Sequence, residues 1–366
     1  MRRESRGIIS RFMEIDTAAA RVPESGPEPG AAMLRDGFGR RISYLRLSVT
    51  DRCDLRCGYC MPEKMQFLPR REVLSLEELY QLSLGFIARG ITKIRLTGGE
   101  PLVRRDMPDL LRALGRLLGA HGGQGRLDEL TLTTNGTQLA GFAGQIADAG
   151  VERINVSLDT RDPALFARLT RRDRLADVLT GIAAAKAAGL RVKINTVALK
   201  GLNEDEIPEL IRWAHGEGHD LTLIEVMPLG EVDEDRVDHF LPLTAVRQRL
   251  EEIFTLQENG HSSGGPARYL TVAQTGGQLG LISPLTNNFC ASCNRIRVTA
   301  TGQLYPCLGG GERVDLRAAL RSDAPDANLA LALDEAMRIK PERHHFDISA
   351  RGAAPAQPRH MSVTGG

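Results

Sequence analysis

The 366-residue sequence predicts an α/β fold: an incomplete (β/α)6 barrel of the TIM type, followed by a C-terminal subdomain with its own group of cysteines. Three observations point there. Short β-like runs alternate with longer helix-like stretches, and six such βα units occur between Leu45 and Val226. The runs begin roughly 25 to 50 residues apart, room for one helix and its turns in each interval. Four of the runs alternate polar with apolar residues, so one face of each strand is polar.

Residues 1–40, rich in Arg, Pro, Gly and Ala with no hydrophobic period, read as a flexible leader. The strand runs are LRLSV (45–49), KIRLT (93–97), ELTLTT (129–134), INVSL (154–158), VKINTVAL (192–199) and LTLIEV (221–226). Between the first two, LSLEELYQLSLGFIARG has a helical period. Arg46 and Ser48 share a face, as do Lys93, Arg95 and Thr97, Asn155 and Ser157, and Lys193 and Asn195. A doubly wound parallel sheet would be apolar on both faces, and a closed eight-stranded barrel fills its interior with branched apolar residues. A polar inner face in four strands therefore favours a barrel whose lumen holds a ligand over a set of half-exposed edge strands. Residues 41–230 form this core. Residues 231–340, with a helical LTAVRQRLEEIF and the loop HSSGGP, form the C-terminal subdomain, and 341–366 a tail.

Lys and Arg number 47 against 46 Asp and Glu, leaving +1, so no general basic field exists for nucleic acid or anionic membrane. No apolar run approaches the roughly 18 residues of a membrane span, and no signal-peptide core is present, so the expected location is the cytoplasm. No GxxxxGK[ST] loop occurs.

All six cysteines fall in two triplets, Cys53, Cys57 and Cys60, then Cys290, Cys293 and Cys307. Clustered thiols in a cytosolic chain serve metal ligation or redox chemistry more readily than disulfides. The first triplet, in TDRCDLRCGYC, lies on the loop leaving the first strand, where barrel enzymes place their chemistry. Three thiolates suit three corners of a 4Fe-4S cube and leave one iron open; zinc would want a fourth ligand that this region lacks. For the second triplet, zinc completed by His344 or His345 is a real rival. Arg295 and Arg297, on one face of a strand in NRIRV, favour a site for phosphate beside the metal, although such a pair also suits a solvated edge strand.

The Cys-x3-Cys-x2-Cys spacing with Tyr59 before the last cysteine resembles the signature of radical S-adenosylmethionine enzymes, and Gly98-Gly99-Glu100-Pro101 resembles that family's GGEP element. The wider set, IRLTGGEPLVRRD, LTTNG, INVSLD, CxxC-x13-C with NRIR, and a terminal Gly365-Gly366, resembles the branch that cyclises GTP in the first step of molybdenum cofactor biosynthesis, from about residue 36 to the end. The resemblance implies two 4Fe-4S clusters and S-adenosyl-L-methionine. Cys53, Cys57 and Cys60 would hold the radical-generating cluster, with Tyr59, Gly98, Gly99, Glu100, Ser157 and Met227 around S-adenosylmethionine. Cys290, Cys293 and Cys307 would hold a second cluster whose open iron meets the guanine base. Arg46, Lys93, Arg95, Thr133, Lys193, Arg295, Ile296 and Arg297 would contact GTP, and Gly365 and Gly366 would enter the site. The reaction implied is ribose 3' hydrogen abstraction followed by C3'–C8 bond formation.

One departure is Thr222, where the resemblance places an arginine: the loss of that phosphate contact either weakens GTP binding or is compensated by Arg212 or another cation. The expected partners are GTP, a reducing electron-donor protein, the downstream cyclic pyranopterin monophosphate synthase and a second copy as a homodimer. The rival functions are a peptide-modifying radical enzyme with an auxiliary cluster, which would carry more C-terminal cysteines, and a non-catalytic metal-cluster protein.

Overall fold

The computed structural model describes residue 12 and residues 33–119, 126–233, 236–348 and 354–365. Six strands, β1 (Tyr44–Ser48), β2 (Lys93–Thr97), β3 (Glu129–Thr134), β4 (Arg153–Ser157), β5 (Arg191–Ala198) and β6 (Asp220–Glu225), pair in parallel in chain order. They match the expected runs to within one residue, because the alternation that marks each strand also fixes which side chains face in. Leu45, Leu47, Ile94, Leu96, Ile154, Val156 and Ile194 turn outward into the core beneath the helices. The first helix, Leu76–Ala88, starts at a reciprocal cap in which Ser75 and Glu78 each bond the other's backbone N–H.

The C-terminal segment is not a separate layer. It supplies β7 (Leu256–Glu258), β8 (Arg268–Val272), β9 (Gln278–Ile282), β10 (Arg295–Val298), β11 (Gln303–Tyr305) and β12 (Val314–Asp315), and the sheet runs β12-β11-β10-β1-β2-β3-β4-β5-β6-β9-β8-β7. β10 joins β1 and β9 joins β6, both in parallel, so each edge of the six-stranded barrel is paired rather than left as bare N–H and C=O groups. The loop 261–266 sits at the N-terminal side of the strands, where the Ser263 carbonyl accepts from Lys93 Nζ (2.7 Å) and Arg153 Nη2 (2.9 Å).

The leader boundary expected at residue 40 needs correction. Leu34 is buried and its backbone bonds Arg89 and Ile42, while Phe12 is buried edge-on against Tyr80 with ring centroids 5.3 Å apart. Single apolar residues in a polar stretch leave no periodic signal, so composition alone hides this anchorage. Among the described residues no helix is long and apolar enough to cross a membrane.

Candidate active site

Two chambers lie over the polar face of the sheet, each enclosing about 1070 Å³ with its mouth, and Asn195, Ile224, Met227 and Met361 line both. The first triplet opens into one chamber and the second into the other. None of the six cysteines is in a disulfide.

The first chamber is lined by Cys53, Cys57, Cys60, Tyr59, Gly98, Gly99, Ser157 and Met227. The glycine pair is there for space: a Cβ would lie 2.2 Å from the Thr50 carbonyl oxygen at Gly98 and 2.4 Å from that of Arg52 at Gly99. No lysine or arginine lines this chamber among the described residues, whereas the carboxylate of Asp159 does; Glu225 borders it, but its buried carboxylate accepts from the Leu243, Leu285 and Thr286 amides. Asp159 accepts from the Tyr59 hydroxyl (2.6 Å) and the Val197 amide (2.8 Å), and burial pushes its carboxyl up to about 6. This lining suits a ligand that carries positive sulfonium and ammonium groups.

Burial raises the first triplet's thiols, Cys53 to about 12 and Cys60 to about 11, with Cys57 well above its usual range. Buried thiols that disfavour each other's ionisation need a strong local positive charge to become thiolates, and bound iron supplies it. The residues present therefore fit an iron cluster with three protein ligands.

Glu100 departs from expectation. It does not line the chamber; its buried carboxylate accepts from the Leu102 amide (2.9 Å), the Asn135 amide (2.6 Å) and Thr134 Oγ1 (2.8 Å), fastening the ends of β2 and β3. Burial raises it to about 7 despite these donors. Thr133, expected at GTP, lines the first chamber and accepts from Arg95 Nη1 at 3.3 Å.

The second chamber is the cationic one. Arg46, Arg95, Lys193, Arg295 and Arg297 line it beside Cys290, Cys293 and Cys307. Burial, then Arg95 and Arg153, brings Lys193 down to about 7; burial, then Arg46 and Arg295, pushes Arg297 well below its usual range. Arg95 Nε and Arg297 Nη1 are buried without a hydrogen-bond partner among the described residues. Buried positive charges that repel one another and leave donors unused form a site for a polyanion. Burial raises Cys290, but at Cys293 the charges of Arg295 and Lys340 outweigh burial and bring the thiol down to about 7.

Two expected GTP contacts are corrected. The Lys93 ammonium is turned out of the chamber, bonded to the Ser263 carbonyl and paired with Glu129 Oε2 at 2.9 Å. Ile296, between two inward arginines, must face outward by strand alternation and is 1% exposed in the core. Thr222 lines the chamber, and Arg212 does not replace the expected arginine: it stacks on Phe254 from the outer helix Ile207–Gly216. Of the two histidines weighed as zinc ligands, His344 lines the chamber and His345 is exposed; no three His, Cys, Asp or Glu groups among the described residues converge on one ion.

The tail returns to the barrel. Helix Met361–Thr364 brings Met361 to both chambers and Ser362 to the first, and Thr364 is fully buried. Gly365 has φ +75°, and a Cβ there would lie 2.2 Å from Thr97 Cγ2; Gly366 lies outside the described residues. Gly365→Ala is expected to cost about 1 kcal/mol or more of tail docking. Cleavage by trypsin after Arg359 should then quicken at least about fivefold, and an unchanged rate would contradict the docking.

Asp159, Asn135, Tyr44 and Tyr269 were missed as single residues. Asp159 and Asn135 stand inside INVSLD and LTTNG, so the motifs marked them; nothing in the sequence ties Tyr269 to Lys193 Nζ, 2.5 Å away.

Residues 47–214 match the Radical SAM superfamily, and residues 219–346 match Molybdenum Cofactor Synthesis C. The GTP 3',8-cyclase of Erythrobacter litoralis (strain HTCC2594) is 74% identical over 336 residues, 92% of this chain and 99% of that protein. The chain belongs to the GTP 3',8-cyclase family. Another member, from Rhizobium meliloti (strain 1021), is 59% identical over 353 residues, 96% of this chain and 100% of that protein. Solved structures share the fold: Streptococcus suis SuiB has a TM-score of 0.55 at 16% identity, covering 79% of this chain and 65% of SuiB. The anSMEcpe structure with bound AdoMet has a TM-score of 0.52 at 14% identity, covering 79% and 83%. Membership of the cyclase family removes the peptide-modifying and non-catalytic rivals.

Proposed function

We propose that the protein converts GTP to (8S)-3',8-cyclo-7,8-dihydroguanosine 5'-triphosphate, the first step of molybdenum cofactor biosynthesis. The observation that carries this reading is the pair of adjoining chambers, one with three thiols and the Asp159 carboxylate, the other with three thiols and five cations. Cys53, Cys57 and Cys60 would hold one 4Fe-4S cluster and Cys290, Cys293 and Cys307 a second, each with an open iron. The first cluster, when bound and reduced, supplies reductive cleavage of S-adenosylmethionine to a 5'-deoxyadenosyl radical.

The chain's own residues do the positioning. Asp159 faces the positive ligand; Arg46, Arg95, Lys193, Arg295 and Arg297 hold the triphosphate; Met227, Ile224 and Met361, with Asn195 as the one polar side chain among the shared residues, line the junction between the chambers. Anchoring GTP by its phosphates fixes the ribose 3' hydrogen near one chamber and leaves C8 within reach of C3'. The chemistry requires an electron donor, for which we propose a reducing protein, and an unstable product favours direct hand-over to the next enzyme. Anaerobic reconstitution with reductant, S-adenosylmethionine and GTP should give 5'-deoxyadenosine equimolar with cyclised nucleotide, and neither with ATP. Cleavage indifferent to GTP would overturn the substrate.

A further inference from the structure

Lys340, just beyond helix Pro325–Arg338, is 3% exposed and does not line the substrate chamber. Its ammonium donates to the Arg295 carbonyl (3.0 Å), the Pro306 carbonyl (2.5 Å) and Cys293 Sγ (3.9 Å). These acceptors flank two of the three cysteines, since Arg295 follows Cys293 by two residues and Pro306 precedes Cys307. Cations from distant segments hold the rest of the collar. Arg40 Nη1 bonds the Cys290 carbonyl (2.8 Å), and Arg359, stacked 4.1 Å from the Tyr305 ring, bonds the Cys307 carbonyl (3.4 Å).

Among these, Lys340 is the costliest to bury. Its acceptors are two carbonyls and a sulfur, and a buried ammonium without a counter-charge costs several kcal/mol. Arg295 also reaches Cys293 Sγ, at 3.7 Å, but it lines the chamber and, on the reading above, faces substrate. Lys340 is the sulfur-directed cation that substrate cannot claim.

We propose that Lys340 is a positioning residue for the second cluster, ordering the Cys293 and Cys307 segments and raising the cluster's reduction potential through its positive charge. The proposal rests on the two-cluster reading above. A cation beside a cluster favours its more negative, reduced state, and hydrogen bonds to ligating sulfur act in the same direction. The test is an anaerobic EPR-monitored redox titration of the reconstituted full-length protein as wild type, Lys340→Met and Lys340→Arg, with iron content for each.

Lys340→Met should lower the second cluster's midpoint so that its reduced-to-oxidised ratio at fixed potential falls about tenfold, ~59 mV for one electron. Lys340→Arg should stay close to wild type, and the first cluster's midpoint should not move in either. Loss of the second cluster's iron in Lys340→Met with retention in Lys340→Arg also supports the charge role. An unchanged midpoint in Lys340→Met at full iron content overturns it, as does loss of iron in both variants, which would mean that lysine's shape is required. A wild type holding about four irons rather than about eight would overturn the two-cluster reading itself, a failure visible before any variant is compared.

Discussion

Reconstituted Cys57→Ser protein is expected to yield no 5'-deoxyadenosine above the uncatalysed background, while Cys307→Ser protein should still cleave S-adenosylmethionine and yield no cyclised nucleotide. The asymmetry follows from the chambers. Cys57 lines the carboxylate chamber with Cys53 and Cys60, and its thiol is strongly raised by burial and by those two neighbours. On the proposed reading these three thiols hold the radical-generating cluster, so removing one of them should abolish radical generation. Cys307 lines the cationic chamber with Arg295 and Arg297, so its loss disturbs the holding of GTP and leaves the first triplet intact. Anaerobic quantification of both products by mass spectrometry, with iron content as a control, checks the split. Cyclised product from Cys307→Ser at the wild-type rate would remove the second triplet from the reaction.

Arg297→Leu is expected to weaken GTP binding about 10- to 150-fold, the loss of a charge-assisted contact worth about 1.5–3 kcal/mol. The same change should stabilise the GTP-free protein. Arg297 is pushed down by burial and by Arg46 and Arg295, and its Nη1 is buried without a hydrogen-bond partner, so leucine relieves repulsion and an unmet donor. A gain of about 1–2 kcal/mol would raise the melting midpoint of a chain this long by roughly 1–3 °C. Calorimetric titration with GTP and thermal unfolding of the apo form read the two effects. A lower midpoint with unchanged affinity would make Arg297 a structural residue. Opposed changes are the mark of a site that holds strain for its ligand.

The six barrel strands were legible because their alternation is strict: every inward cation of β1, β2 and β5 is paired in sequence with an outward Leu, Ile or Val. The cysteine triplets were legible because no other cysteine blurs them. Less visible was how the C-terminal segment divides. β9 and β10 are adjacent in sequence yet join opposite edges of the sheet, and no local pattern records a partner strand some 250 residues away, as between Tyr44 and Arg295. Lys93 shows the limit of reading faces alone: it stands at the end of its strand, where Glu129 and the Ser263 carbonyl draw the ammonium away from the lumen. Glu100 shows another, since a motif gives a residue's place in the chain but not whether its carboxylate meets the ligand or holds the backbone that does. Lys340 carried no signal, being one lysine at a helix end whose partners come from two other segments.

The measurement that bears most directly on the account uses GTP deuterated at ribose C3', supplied anaerobically with S-adenosylmethionine and reductant to the reconstituted wild-type protein. Deuterium should appear in 5'-deoxyadenosine in step with formation of the 3',8-cyclised nucleotide. Unlabelled 5'-deoxyadenosine accompanying that same product would contradict the account, because the abstracted hydrogen would then not be the one on ribose C3'.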